Sequence, residues 1–155
     1  MPKIIVDLNS SGGTRRIWEF KGINTYRMMP REMQRATRWM KASVPGTVHT
    51  DLMAEGIIPD PFHGVNENLV QWVDSQQWVY RRQFNVSMEM LQAKHIELVA
   101  EGLDTFAEVR INRKAVAVTA NMFIAHRIDI KRYVRRGQNT IEIIFDSPTM
   151  HSKAL

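Results

Sequence analysis

Hydrophobic and polar residues alternate along the second half of the chain. In 95–100, Ile96, Leu98 and Ala100 alternate with His95, Glu97 and Val99; in 107–112, Ala107, Val109 and Ile111 alternate with Glu108, Arg110 and Asn112. In 140–145, Ile141, Ile143 and Phe145 share one side. A period of two over such lengths predicts half-buried strands. Residues 78–86 predict another, with Tyr80, Phe84 and Val86 on one face, and Arg82 shares their parity. Residues 110–112, the polar pair Arg113-Lys114 and residues 115–118 predict a hairpin. Short strands at this spacing predict an all-β antiparallel sandwich.

The first half is less regular. Residues 7–9, a turn at 10–13 and residues 15–22 predict strand, turn and strand. Residues 21–38 read as irregular, with Met28, Met29 and Met33 as gap-fillers. Thr47 or Thr50 is predicted to cap one short helix running through Ala54 and ended by Gly56. Pro59-Asp60-Pro61 opens a long loop over 58–77. A connection this long inside a compact domain is usually functional or mobile. No repeat or linker divides the chain, so residues 1–155 read as a single domain.

Composition narrows the function classes. Hydrophobic residues make up 44% of the chain, enough to build a core, and the absence of cysteine excludes a disulfide, a zinc–thiolate site and a thiol nucleophile. No apolar run approaches the roughly 20 residues of a membrane helix, so no membrane partner is expected. The start Met1-Pro2-Lys3-Ile4-Ile5-Val6 lacks a secretory apolar core, which leads to the expectation of a cytoplasmic protein. Part of the net charge of +5 sits in Lys131-Arg132-Tyr133-Val134-Arg135-Arg136. That run reads either as a patch for phosphates, in an interaction or nucleic-acid module, or as a solvated helical turn. Asp129 would cap the turn and Gly137 close it. No nucleic-acid signature accompanies it, and no nucleic-acid partner is expected.

Candidate chemistry is sparse. Most glycosidases need two carboxylates flanking the scissile bond, about 5–5.5 Å apart for retention. The acids here are scattered, and Glu101 with Asp104 is the nearest attractive pair. They read as an acid/base pair or as structural ion-pair partners of Arg81 and Arg82; inward-facing Arg82 demands compensating charge, which favours the second. His49, His63, His95, His126 and His151 lack metal-ligand spacing, and neither a nucleophile elbow nor a phosphate-binding glycine loop occurs. No metal and no cofactor is expected. The long loop carries Asn66, Glu67, Asn68, Gln71 and Trp72, where amides, a carboxylate and an indole could meet a sugar. Alternatively, Trp72 and Trp78 are core or interface residues.

Blocks along the chain resemble the opening of β-mannosidases of glycoside hydrolase family two. They are Trp39-x-x-Ala42-Ser43-Val44-Pro45-Gly46-Thr47-Val48-His49-Thr50-Asp51-Leu52, then Gly56-Ile57-Ile58-Pro59-Asp60-Pro61-Phe62, then Asn66-Glu67 and Gln71-Trp72-Val73. Trp78-Val79-Tyr80-Arg81-Arg82-x-Phe84, Glu101-Gly102-Leu103-Asp104-Thr105-Phe106-Ala107, Asn121-Met122-Phe123, His126 and Gly137-x-Asn139-x-Ile141 follow in the family's order. The resemblance implies a galactose-binding-like jelly-roll sandwich with one or two short helices, expected to stop before its last strands. It implies a non-catalytic N-terminal domain, with the catalytic (β/α)₈ barrel and its two glutamates absent from this chain. No catalytic residue carries over. Asn66, Glu67, Gln71 and Trp72 would lean toward the active site or pack on that barrel. The implied partners are a β-mannoside, the barrel and a second copy paired through an exposed sheet edge. A free-standing carbohydrate-binding module remains the alternative.

Overall fold

The computed structural model describes residues 3–9, 17–23, 31–60, 63–64, 71–104, 106–121 and 123–147. The strands among them are β1 (Glu19–Ile23), β2 (Met40–Lys41), β3 (Gln77–Val86), β4 (Glu97–Ala100), β5 (Ala107–Ile111), β6 (Lys114–Thr119), β7 (His126–Asp129) and β8 (Gly137–Phe145). Short helices are α1 (Arg31–Arg35), α2 (Val48–Ala54) and α3 (Met88–Gln92), with 3₁₀ turns at Gln71–Ser75 and Lys131–Tyr133. Strands run β2-β1-β3-β8-β5-β6 in a six-stranded sheet, and β4-β7 form a two-stranded one. The pairs β1/β2, β4/β7 and β5/β6 are antiparallel. The fold is all-β, as the alternation predicts.

One compact unit comprises Trp18–Tyr80 and Ile144–Leu155. Its core is aromatic. Phe20 is fully buried on β1, its ring 5.4 Å from Tyr80 and 6.0 Å from Trp78, and Phe145 meets Tyr80 edge-on at 5.8 Å. Offset and edge-on rings add to the area they bury. Helix α2 is set by local signals at both ends. The Thr47 side chain accepts from the Thr50 amide at 3.1 Å, and the Thr50 hydroxyl accepts from the Thr47 amide at 3.2 Å. Both threonines therefore act, as a reciprocal capping box. At the far end Gly56 takes φ +69°. Its amide donates to Met53 O, and the Ile57 amide donates to Leu52 O, which closes the helix in a Schellman motif. Gly46 is fixed by contact instead, since a Cβ there would lie 2.4 Å from Ser43 O.

The other unit comprises Met1–Ile17 and Arg81–Ile143. Phe84, Val86, Val109, Ile111, Ile130 and Ile141 are buried in it. Trp78, Tyr80, Arg82, Phe84 and Val86 are all buried along β3, following the expected parity, with Val79 buried as well. The β5–β6 turn differs by one residue from the expected Arg113-Lys114. Ile111 pairs with Lys114, and the turn residues are Asn112 (φ 49°) and Arg113 (φ 71°). Two-residue turns that match strand twist can require positive φ at both positions, and asparagine tolerates that region better than lysine. Val109 opposes Ala117 while Arg110 opposes Ala115, so Val116 is the extra residue of a bulge.

Other expectations change. Residues 7–9 form no strand; the Asn9 amide folds back onto Asp7 Oδ1 at 2.8 Å. Within 21–38, Arg31–Arg35 is helical, and Met28 and Met29 lie outside the described residues. The loop over 58–77 ends in the ordered 3₁₀ turn rather than running open to β3.

Candidate functional site

The 3₁₀ turn at Gln71–Ser75 holds Gln71 and Trp72, two of the four residues expected to face the sugar or the barrel. Asn66 and Glu67 lie outside the described residues. Polar contacts tie the turn down. Ser75 Oγ donates to Trp72 O at 2.9 Å, Trp78 Nε1 donates to Val73 O at 3.0 Å, and Ser147 Oγ donates to Asp74 O at 2.7 Å. Just beyond, Gln77 Nε2 donates to Asp146 Oδ1. Trp72 is half-buried, its ring 6.1 Å from that of buried Trp78 and tilted 42°. One indole therefore supports the other, and the arrangement suits a packing surface as well as a sugar platform.

Arg82 is 5% exposed on the inward face of β3, whereas Arg81 is half-buried and Glu101 and Asp104 are exposed. Other ion pairs are formed on the strands. Arg110 Nε meets Glu108 Oε1 at 2.7 Å along β5, and Arg127 meets Glu97 at 3.2 Å across β4/β7. The pairing raises the Arg110 pKa through its hydrogen bond to Glu108. Two histidine–carboxylate contacts, His49–Asp74 at 3.8 Å and His63–Asp60 at 3.2 Å, lie at the surface.

Sequence reasoning missed the one buried carboxylate among the described residues. Asp51, 3% exposed on α2, accepts from the Ser43 amide at 2.9 Å and from the Tyr80 hydroxyl at 3.1 Å. Burial raises its pKa above the ordinary carboxylate value, and the two hydrogen bonds pull against that rise. Burial first, then the charge of Asp51, raises the Tyr80 phenol well above its usual range. The missed signal was the inward parity of Tyr80, because a buried phenol hydroxyl needs a partner. With both its oxygens engaged by structural donors, Asp51 ties α2 and the 43–44 segment to β3.

A second polar pin holds the cationic end. Asn139, 1% exposed, donates to Arg135 O at 2.8 Å and Gly137 O at 3.0 Å, and accepts from the Arg135 amide at 2.9 Å and Asn112 Nδ2 at 2.8 Å. Asn112 Nδ2 also donates to Tyr133 O, while Asn112 Oδ1 accepts from the Thr140 amide. Asp129 Oδ1 accepts from the Lys131 amide at 3.0 Å, and Gly137 takes φ +91°. Asp129 thus contacts the start of the run, but the 3₁₀ turn Lys131–Tyr133 follows Ile130 with no side-chain cap and gives way to extended backbone at Val134, so Gly137 opens β8 rather than closing the turn as expected.

Residues 18–155 match the family described as glycosyl hydrolase 2 galactose-binding domain-like. The chain belongs to this family. β-Mannosidase B of Emericella nidulans is 39% identical over 119 residues, covering 76% of the chain and 14% of that relative. β-Mannosidase of Capra hircus is 34% identical over 113 residues, 73% of the chain and 13% of the relative. The crystal structure of a β-D-mannosidase from Dictyoglomus thermophilum superposes with TM-score 0.79 at 42% identity, covering 88% of the chain and 16% of that structure. A β-D-glucuronidase of the same organism shares the fold at TM-score 0.59 and 20% identity. This family 2 domain therefore spans about one-seventh of the curated relatives it matches, 14% in the Emericella case. It is a galactose-binding-like N-terminal domain of the β-mannosidase kind, and its relatives are carbohydrate-processing enzymes.

Proposed function

We propose that this domain is the non-catalytic part of a retaining β-mannosidase, where it supports a catalytic barrel and shapes the mouth of the active site. The observation that carries this reading is the 42% identity and TM-score of 0.79 to a β-D-mannosidase over 88% of the chain, set against the far lower identity to glucuronidases. Three of the described acids have structural partners. Asp51 is held by Ser43 and Tyr80, Glu97 by Arg127, and Glu108 by Arg110. A retaining pair needs two carboxylates about 5–5.5 Å apart across a substrate; these acids instead brace strands and a helix. The turn carrying Gln71 and Trp72 is the part assigned to the barrel side. Its tethering to Ser147 through Asp74 O and to Trp78 through Val73 O gives it the rigidity that a supporting surface needs. A second copy could pair along β2 or β6, the edges of the larger sheet.

Assaying the polypeptide that carries this domain against aryl β-mannoside, β-glucuronide and β-galactoside tests the proposal. The β-mannoside should be preferred by at least about a hundredfold in kcat/KM, a gap that directed hydrogen bonds to hydroxyls readily produce. Preference for the glucuronide or galactoside would refute it.

A further inference from the structure

The connection between β6 and β7 exposes apolar side chains that nothing in the proposed role has yet used. Phe123 is 86% exposed, Val118 at the end of β6 is 80% exposed, and Ile124 is 51% exposed. Single exposed apolar residues are ordinary, but this aromatic is displayed by a built turn. The Phe123 amide donates to Asn121 Oδ1 at 2.8 Å, an Asx turn, and the His126 ring Nε2 lies 2.9 Å from Asn121 O. His126 in turn pairs with Ala100 across β4/β7. The ring is thus presented to solvent from an ordered base.

We infer that Phe123, with its chain neighbour Ile124, forms a docking knob for another domain of the same polypeptide. The inference rests on the proposed β-mannosidase reading. Two observations select this occupant over a second copy. First, the relative β-mannosidase B is more than five times the length of this chain, since a match over 76% of the chain covers only 14% of it, so a large tethered partner accompanies the domain there. Second, the patch is small. Stable association of separate chains needs roughly 800 Å² from each partner, more than two side chains on one connection offer. A tethered partner works at an effective concentration in the millimolar range, where a single aromatic anchor suffices. The partner surface is accordingly an apolar pocket able to take one phenyl ring, with a polar rim.

Hydrogen exchange across 120–126, measured in this chain alone and in the whole polypeptide, tests the knob. Exchange should slow at least about tenfold in the whole polypeptide, and Phe123→Ser should abolish that difference. The same substitution should leave the melting temperature of the chain alone unchanged, because the ring touches solvent there. Equal exchange in both contexts, in a polypeptide that hydrolyses β-mannosides, overturns the knob and leaves the functional reading standing. A polypeptide with no further domain overturns both. Dimerisation of the chain alone that Phe123→Ser abolishes would make a second copy the occupant, and would overturn the inference.

Discussion

Replacing Tyr80 with phenylalanine removes one oxygen and isolates the buried carboxylate. The ring contacts with Phe20 at 5.4 Å and Phe145 at 5.8 Å remain available to phenylalanine, so the change tests the hydroxyl alone. Asp51 keeps the Ser43 amide at 2.9 Å and loses its donor at 3.1 Å, on a side chain 3% exposed. A hydrogen bond to a charged group contributes about 1.5–3 kcal/mol. For a domain near 150 residues, each kcal/mol moves the melting temperature by about 2–4 °C, so Tyr80→Phe should lower it by about 3–12 °C at pH 7. The pH dependence follows from the raised Asp51 pKa. A carboxyl raised on folding contributes stability that is complete below its unfolded value near 3.8 and lost as pH rises through the folded value. Losing the Tyr80 donor raises the folded value further, since that bond lowers it. The penalty of the variant should therefore be smallest below pH 4 and grow toward pH 7. Urea denaturation at pH 4, 5, 6 and 7 reads this directly. A penalty independent of pH, or none at all, would refute the bond between phenol and carboxylate.

Other substitutions probe the remaining devices. Asn139→Ala removes four hydrogen bonds at a residue 1% exposed. With about 1–3 kcal/mol for each buried group left unmet, it should cost about 3 kcal/mol or more in urea denaturation. Arg113→Gly relieves a left-handed arginine at φ 71° and should stabilise the chain by about 0.5–1 kcal/mol, read as a higher urea midpoint. Thr47→Ala breaks the reciprocal cap of α2 and should cost about 1 kcal/mol, with faster amide exchange at Thr50.

What was legible in the sequence was local. The alternation through Tyr80, Arg82, Phe84 and Val86 located β3 and its buried face, and Thr47, Thr50 and Gly56 marked both ends of α2. Both are written within a few residues of the element they define. The polar pins were not legible, because their partners are far apart in the chain. Asp51 and Tyr80 are separated by 29 positions and Asn112 and Asn139 by 27, and no periodicity links them. The hairpin shift has the same origin in reverse. Arg113-Lys114 looks like a polar turn, yet the requirement for positive φ, not polarity, selects Asn112-Arg113. For the candidate site, the inward parity of Arg82 could be read in advance, while the support of Trp72 by Trp78 depends on a turn that the proline-rich start of the loop concealed.

The most direct test compares three preparations on a chromogenic β-mannoside: this chain alone, the polypeptide that carries it, and that polypeptide with residues 18–147 deleted. The chain should give no turnover, the intact polypeptide full turnover, and the deletion a loss of at least about a hundredfold. Hydrolysis by the purified chain, surviving repurification, would contradict the non-catalytic reading.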